Sequence, residues 1–479
     1  MYRPVDESVV RRLTEIAGPK AVFSDEDTLA IYSKDETIGL SHRPEVVVKP
    51  GTPEQILEIM RLANLENIPL TPRGKGTGLS GGAIPVYGGI VLSCERMEKI
   101  LDIDHDNLMV VTEPGIITGE LQKAVEAESL FYPPDPASLA SCSIEGNVAE
   151  GAGGSRAVKY GTTKDYVNGL EVVLPSGEMI STGGKVVKDV TGYNLTQLIT
   201  GSEGTMAIVT RIILRLIPLP ELRRDLLVPF PSIDQAAQTV SEIIRTRIVP
   251  TAIEFMERKS FELAENFTKR KLAFREVAAH LLITLDGNQQ EALDKDQSRV
   301  GEICEKNGAL DILIANSPTA RDRMWEGRKC LFEAANHFGS LYKSLDVVVP
   351  RSLIPTLIRE IDHVSERHRI RAMSFGHAGD GNVHVLLFKG ELPDDEWERL
   401  INQAQRDLYK ATIDLGGKIT AEHGIGLLRK PFLSMNLDPC QIELLKGLKT
   451  AFDPKNILNP GKIFDLQESS SAPLPSGRK

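Results

Sequence analysis

The sequence predicts an α+β fold of about three structural units, and three features point to it. The chain has 479 residues, more than one ordinary core encloses. Up to about residue 217, short β-rich runs alternate with Gly/Pro/Ser loops, and helical patterns are few. Beyond Pro218-Leu219-Pro220, helices with apolar spacing alternate with strands, which makes a second α+β unit.

Residues 5–17 have the spacing of a short amphipathic helix, and Glu45-Val46-Val47-Val48 begins strand-like material. Thr52-Pro53-Glu54-Gln55 is a helix start, with Thr52 as N-cap, Pro53 at the first helical position and Gln55 three residues on. Ile56, Ile59, Met60 and Ala63 give that helix one apolar face. A strand from Ile68 to Pro72 then leads into a glycine-rich loop. The β-rich runs that follow are Ile90-Val91-Leu92, Met109-Val110-Val111, Glu171-Val172-Val173-Leu174 and Met206 to Leu216. In the second unit, Leu281 to Leu285 and Asp346 to Val349 are strands, and 393–415 is a long helical pattern. The Ser/Pro-rich tail from Gln467 to Lys479 is expected to be disordered. There is no internal repeat.

Composition narrows the function. Hydrophobic residues at 41% and charged residues at 25% are ordinary for a folded globular chain. Lys plus Arg number 56 against 66 Asp plus Glu, a net charge of -10, so no broad basic field is available for nucleic acid or an anionic membrane. The first twenty residues never build a continuous apolar block, which excludes a secretory signal there. No stretch approaches the roughly 18 uncharged apolar residues of a membrane span. The chain therefore reads as soluble and cytoplasmic, reaching a membrane only as a peripheral protein through a partner. Cys94, Cys142, Cys304, Cys330 and Cys440 lie far apart with no CxxC spacing, so any iron–sulfur relay must lie in another polypeptide.

The densest chemical signal is Pro72-Arg73-Gly74-Lys75-Gly76-Thr77-Gly78-Leu79-Ser80-Gly81-Gly82, directly after a strand. Such glycines let successive backbone N–H groups point into one concavity, which is how a pyrophosphate is held; the same loop could be purely structural. A nicotinamide site is disfavoured, because Ala83 to Gly89 is loop-like where the dinucleotide fingerprint opens a helix. A second cluster of small residues follows: Pro134-Asp135-Pro136-Ala137-Ser138, Ser143 to Ser155, and Tyr160-Gly161. A third, Gly201-Ser202-Glu203-Gly204-Thr205, runs straight into a strand. In order and spacing the three clusters resemble the FAD-binding domain of the vanillyl-alcohol-oxidase (PCMH) type over residues 43–220. The resemblance implies that Pro72, Arg73, Gly74, Lys75, Gly76, Thr77, Gly78, Leu79, Ser80 and Gly81 wrap the FAD pyrophosphate. It implies that Pro136, Ser138, Ser143, Gly146, Asn147, Gly154, Tyr160, Gly161, Glu203, Gly204, Ile208 and Asn459 line the rest of the cofactor. Some relatives tether FAD through a histidine in the pyrophosphate loop; here Thr77 stands at that place, so the flavin should be non-covalent.

Phe375-Gly376-His377-Ala378-Gly379-Asp380-Gly381-Asn382-Val383-His384 carries the second signal. Seven residues is an odd spacing, so on one straight strand the two histidines would face opposite sides. A hairpin turned at Gly-Asp-Gly-Asn would bring them together, both able to aim at one ion; the alternative is a DG turn flanked by unrelated histidines. Ile419-Thr420-Ala421-Glu422-His423-Gly424-Ile425-Gly426 adds an acid and a histidine. With Trp325-Glu326-Gly327-Arg328-Lys329 and the closing Phe452 to Gly461, these segments resemble the FAD-linked oxidase C-terminal domain. The chain as a whole resembles FAD-linked 2-hydroxy-acid dehydrogenases, the group of glycolate oxidase D subunits and D-lactate dehydrogenases, with D-2-hydroxyglutarate dehydrogenases a more distant branch.

That resemblance implies an N-terminal helical segment (1–42), a PCMH-type FAD domain (43–220), a substrate domain (221–415), a C-terminal segment returning to the FAD domain (416–465) and a tail (466–479). It makes His377, His384 and Glu422 ligands of a divalent metal, His423 the general base, and Arg328 and Lys343 the holders of the substrate carboxylate. Two imidazoles and one carboxylate leave coordination positions open, which suits zinc, with iron or manganese as alternatives. Phe332, four residues after Arg328, would set an apolar ring beside the carboxylate and favour glycolate or D-lactate over D-2-hydroxyglutarate. Reduced flavin would pass its electrons to an electron-transferring flavoprotein, an iron–sulfur subunit or a quinone. Competing readings are a flavin electron-transfer subunit without its own substrate and a flavoprotein of non-redox chemistry.

Overall fold

The computed structural model describes residues 2–271, 274, 276–338 and 341–466; the Ser/Pro-rich tail from Gln467 lies outside the described residues. The N-terminal helix Glu7–Ala17 and the helix Pro53–Glu66 form where the sequence places them. Thr52 Oγ1 caps the second by accepting from the Gln55 amide at 3.3 Å, while the Gln55 side chain reaches back one residue further, to the Gly51 amide at 2.8 Å. Ile56, Ile59, Met60 and Ala63 are fully buried.

Two sheets build the first half. Val22–Phe23, Val46–Val48, Ile90–Ser93 and Leu70–Arg73 form a four-stranded sheet whose last three strands run parallel. Ile100–Asp104, Met109–Thr112, Ile208–Arg215, Val167–Val173 and Met179–Gly183 form a five-stranded antiparallel sheet. The end of the chain returns to the first sheet: the Leu70 amide donates to Ile457 O and the Asn459 amide to Leu70 O, both at 2.7 Å. The second small-residue cluster departs from its loop reading, because Ile144–Glu150 is a helix, α1. Gly146 in its middle hides the helical signal, and Gly151 in the left-handed region (φ 67°) ends it.

The second half is organised on a seven-stranded antiparallel sheet. From edge to edge it runs Leu313–Ile314, Leu222–Phe230, Ala279–Gly287, β1 (Ala252–Glu257), then β3 (Arg371–His377), β4 (Asn382–Phe388) and β2 (Tyr342–Val348) at the far edge. Alternation along the strands divides its residues between two cores. Leu345, Val347, Val383, Val385 and Leu387 pack with the helices Ile233–Arg245, Ile354–His368 and Asp394–Asp414. Tyr342, Met373, Phe375, Leu386 and Phe388 face the other way, against Phe261, Leu331 and Ala334. Between the halves, Lys159 and the Tyr160 hydroxyl both bond Asp286, the latter at 3.0 Å.

Glu257, at the end of β1, is 6% exposed, and burial pushes its carboxyl up to about 7 from 4.5 although its Oε1 accepts from the Ser374 amide. Between those two pH values the native chain keeps a proton that the unfolded chain releases. This contribution to stability is therefore complete below 4.5 and lost as pH rises through 7, on the order of 3 kcal/mol in all. Glu257→Gln should lose less thermal stability than the parent on going from pH 5 to pH 8. Melting curves at both pH values check this, and equal pH sensitivity in the two proteins would show the prediction to be wrong.

Candidate active site

Alternation of side chains in the β3–β4 hairpin brings the two histidines together. His377 pairs with Asn382 and Phe375 with His384. Paired residues share a face and so do residues two apart on one strand, so His377 and His384 face the same side. Their rings stand 5.3 Å apart at 85°. The hairpin predicted from the Gly-Asp-Gly-Asn segment is therefore present, closed by the Gly381 amide on His377 O at 3.0 Å.

Two buried acids on neighbouring strands orient these rings, and sequence reasoning missed both. Glu254 on β1 lies opposite His377 and accepts from its Nδ1 at 2.7 Å, leaving Nε2 to face Glu422. Burial would lower the His377 pKa, but the charges of Glu254 and Glu422 outweigh it and hold it well above the usual value. Asp346 on β2 lies opposite His384, with Oδ1 at 3.4 Å from Nδ1 of that ring. Each acid has apolar neighbours on both sides, Leu345-Asp346-Val347 and Ile253-Glu254-Phe255. A lone carboxylate at an interior strand position was the signal available, since burying a charge needs a partner.

Asp346 also shapes the loop Thr420–Gly426. Its Oδ2 accepts from Thr420 Oγ1 and from the amides of Ala421, Glu422 and His423, all at 2.9 Å, while Oδ1 accepts from Asn382 Nδ2 at 2.8 Å. Burial would raise its pKa; the charges of His423, His384 and Arg429 keep it well below the carboxylate range. The other end of the loop is held by Glu203, whose two oxygens accept from the Ile425 and Gly426 amides at 2.7 Å each. Gly424 sits between them at φ 75°, where any Cβ would collide with Glu150 Oε2 and come within 2.9 Å of Glu203 Oε1.

So held, Glu422 Oε1 stands 3.4 Å from His377 Nε2, 3.5 Å from His384 Nε2 and 3.8 Å from His423 Nε2. The His384 and His423 rings are parallel, 5.2 Å apart. Burial, despite Asp346, pushes His423 down to about 4; for Glu422 it is overridden by His377, which keeps the carboxyl at about 2. Donors about 2.1 Å from a tetrahedral ion stand roughly 3.4 Å from one another, and the distances from this oxygen to the His377 and His384 nitrogens match that spacing. Among the described residues, Asp346, His384, Glu422 and His423 form a group with ligand atoms within 4.8 Å of one another, and His377 is not a member of it. Asp346 supports that group from behind, because its oxygens are occupied by backbone and side-chain donors.

A cavity of about 430 Å³ runs from the glycine loop, along α1, to these histidines. Of the residues expected around the cofactor, Pro72, Gly74, Lys75, Gly76, Thr77, Gly78, Leu79, Pro136, Ser138, Ser143, Gly146, Asn147, Glu203, Gly204 and Asn459 line it, as do Arg328, His377, His384, Glu422 and His423. Ser143 Oγ, Glu145 Oε2 and Glu150 Oε2, all from α1 and its cap, are buried on this wall without a hydrogen-bond partner among the described residues. Unsatisfied polar atoms around a roomy glycine-lined cleft fit an extended polar cofactor such as FAD.

Other expected residues fall outside the cavity wall. Arg73 turns away, donating to Lys34 O at 2.7 Å and lying over the Tyr32 ring. Ser80 O receives the Leu427 amide at 2.8 Å, and the Gly81 amide binds Thr37 Oγ1 at 2.8 Å. Tyr160 is engaged by Asp286, Gly161 ends a short helix, the Ala157 amide closes a turn on Gly154 O, and Ile208 is core. Lys343 is corrected by register: Asp346 pairs with His384, so Tyr342, Ser344 and Asp346 share the histidines' face, and Lys343, opposite Leu387, points to the other. Arg328 does reach the cavity, with Nε 2.8 Å from Glu254 Oε2 and its guanidinium over Phe375. It ends one helix, α2 (Pro318–Lys329), and Phe332 belongs to the next, α3 (Leu331–His337), yet both line the site.

Comparison with known proteins decides the family. The chain matches the model of FAD linked oxidases, C-terminal domain, over residues 219–463 and that of an FAD binding domain over 44–183. The chain belongs to the FAD-linked oxidase family. It is similar to the glycolate oxidase subunit GlcD of Bacillus subtilis, at 40% identity over 96% of this chain and 97% of the relative. It is also similar to a D-lactate dehydrogenase of Anaerostipes hadrus, at 36% identity over 96% and 98%. The fold is shared more widely: p-cresol methylhydroxylase superposes with a TM-score of 0.80 at 19% identity, covering 97% of this chain and 99% of that one. As an FAD-linked oxidase, the protein is a flavin-dependent oxidoreductase whose α+β architecture joins a PCMH-type FAD-binding domain to the family's C-terminal domain.

The role of Asp346 gives a direct test. Asp346→Asn keeps the shape but removes the charged acceptor of three consecutive amides, each bond worth about 1.5–3 kcal/mol. Hydrogen exchange in the peptide carrying Ala421 to His423 should accelerate by roughly 10²-fold or more, since about 1.4 kcal/mol is tenfold. Unchanged protection of that peptide would remove Asp346 from this role.

Proposed function

We propose that this FAD-linked oxidase converts a small D-2-hydroxy acid, glycolate or D-lactate, to the 2-oxo acid, with FAD held non-covalently and a divalent cation held by His377, His384 and Glu422. The observation that carries the reading is the convergence of three imidazole Nε2 atoms on Glu422 Oε1, at 3.4–3.8 Å, inside the cavity that the glycine loop opens onto. The names of the relatives, a glycolate oxidase subunit and D-lactate dehydrogenases, support the substrate class.

When bound, FAD supplies the hydride acceptor and the cation, zinc by its donor set or else iron or manganese, supplies charge that favours the substrate alkoxide. His423 receives the hydroxyl proton at Nε2, and Asp346, 4.0 Å from its Nδ1, stabilises the imidazolium that results. Arg328, fixed through Glu254 and Phe375, holds the substrate carboxylate. Phe332 shuts one side, edge-on to Phe375, His384 and His423 at 5.3, 5.6 and 6.2 Å. An apolar ring there leaves a distal carboxylate unpaired, at a cost of about 1–3 kcal/mol. Reoxidation falls to a partner, an electron-transferring flavoprotein, an iron–sulfur subunit or a quinone. Among the described residues no cysteine belongs to a group of potential metal ligands, which accords with a relay outside this chain.

Under anaerobic conditions glycolate or D-lactate should bleach the flavin, and D-2-hydroxyglutarate should do so more slowly by roughly 10- to 100-fold, the kinetic equivalent of that unpaired group. Stopped-flow absorbance reads both rates. Faster bleaching by D-2-hydroxyglutarate would defeat the size argument, and no bleaching by any 2-hydroxy acid would defeat the function.

Chelation should abolish bleaching by substrate while leaving the oxidised flavin spectrum intact, and Zn²⁺, Mn²⁺ or Fe²⁺ should restore it. A His384→Ala protein that retains the full activity of the untreated parent after exhaustive chelation would rule out the metal.

A further inference from the structure

Glu150 has no part in the chemistry above, yet it lies next to it. It is the last residue of α1, its side chain lines the cofactor cavity, and its Oε2 is buried with no hydrogen-bond partner among the described residues. Its position is where the glycine loop meets the histidine loop. Oε2 abuts Gly424, next to His423, and Oε1 would lie 3.1 Å from a Cβ on Gly82, the last glycine of the loop. We propose that Glu150 donates a hydrogen bond to the flavin ring and that this bond raises the cofactor's reduction potential.

Three observations make the side chain a donor. Glu203 Oε1 comes within 2.9 Å of the same Cβ position on Gly424, so the two carboxyls are close neighbours. Burial raises the Glu203 carboxyl too, but two backbone amides at 2.7 Å and the charges of Arg429 and Lys462 oppose it, whereas Glu150 has no such amides; two adjacent carboxyls do not both ionise, so the proton falls to Glu150. The nearby cation Arg429 bonds the backbone rather than the carboxyl, its Nη1 donating to Gly424 O at 3.0 Å, and among the described residues Glu150 Oε2 has no hydrogen-bond partner. Burial, then the charges of Glu203 and Asp35, push the Glu150 carboxyl well above the usual range, against the opposing pull of Arg429. A neutral carboxylic acid has one O–H to give. Reduction adds electron density to the ring's oxygen and nitrogen acceptors, so a donor in a dry site favours the reduced form. The inference rests on the FAD of the family and not on which acid is oxidised.

The test uses the holoenzyme and reads the flavin itself. Midpoint potentials are measured spectroelectrochemically, and FAD dissociation by fluorescence, for the parent, Glu150→Gln and Glu150→Ala. Glutamine keeps a donor, so E150Q should change the preference for reduced over oxidised flavin by less than about twofold, within the worth of one retained bond. E150A should lower it about tenfold, which is about 30 mV for a two-electron couple. If E150A does not fold, Glu150→Met fills the volume without a donor and carries the same expectation. A potential that stays put in the Ala or Met protein overturns the proposal. A shift in E150Q as large as in the donor-free variants overturns it as well, since the charge and not the hydrogen bond would then be at work.

Discussion

The geometry of the site depends on one buried carboxylate. Asp346 is inaccessible to solvent and accepts from three consecutive amides, a hydroxyl and a side-chain amide, while facing two imidazoles. An ion in such a place is tolerated only when its lone pairs are filled, and here filling them determines the course of the chain. Three amides can converge on one oxygen only if the backbone from Thr420 to His423 wraps around it. That wrap points Glu422 at His377 and His384 and lays the His423 ring parallel to that of His384. The donor set follows from satisfying Asp346.

Glu203 completes this arrangement from the other half of the molecule. It adopts a left-handed backbone conformation, φ 53°, unusual for a residue with a Cβ, and both its oxygens are taken up by Ile425 and Gly426. One short loop is therefore fastened at its start to the seven-stranded sheet and at its end to the flavin-binding half. Relative movement of the halves by even an ångström would separate the histidines from the cofactor cleft. The Asp286 contacts with Lys159 and Tyr160 add a further restraint between the halves.

Much of this was legible in the sequence because it depends on local rules. Glycine runs after a strand mark a cleft, and the Gly-Asp-Gly-Asn turn converts an odd histidine spacing into a shared face. What was not legible depends on register. Lys343 and Ser344 differ by one position, and only the pairing of Asp346 with His384 decides which faces the site. Asp346 and Glu254 were overlooked because a single acid between apolar neighbours carries no motif. The helix Ile144–Glu150 was hidden because its small residues serve two purposes at once, forming a turn of helix and leaving room for a ligand beside it.

The return of the chain end has a consequence for how the protein is made. Leu70, at the start of the strand that carries the glycine loop, exchanges backbone hydrogen bonds with Ile457 and Asn459, and the Asn459 side chain ties Gly82 to Glu203. During synthesis the strand of Leu70 leaves the ribosome long before this partner, which lies far later in the sequence. The flavin-binding half must wait with one strand edge unpaired while most of the polypeptide is still being translated. Capture of the cofactor is thereby coupled to synthesis of the segment around Ile457 and Asn459, and a ribosome that stalls before it releases a product without a finished cleft.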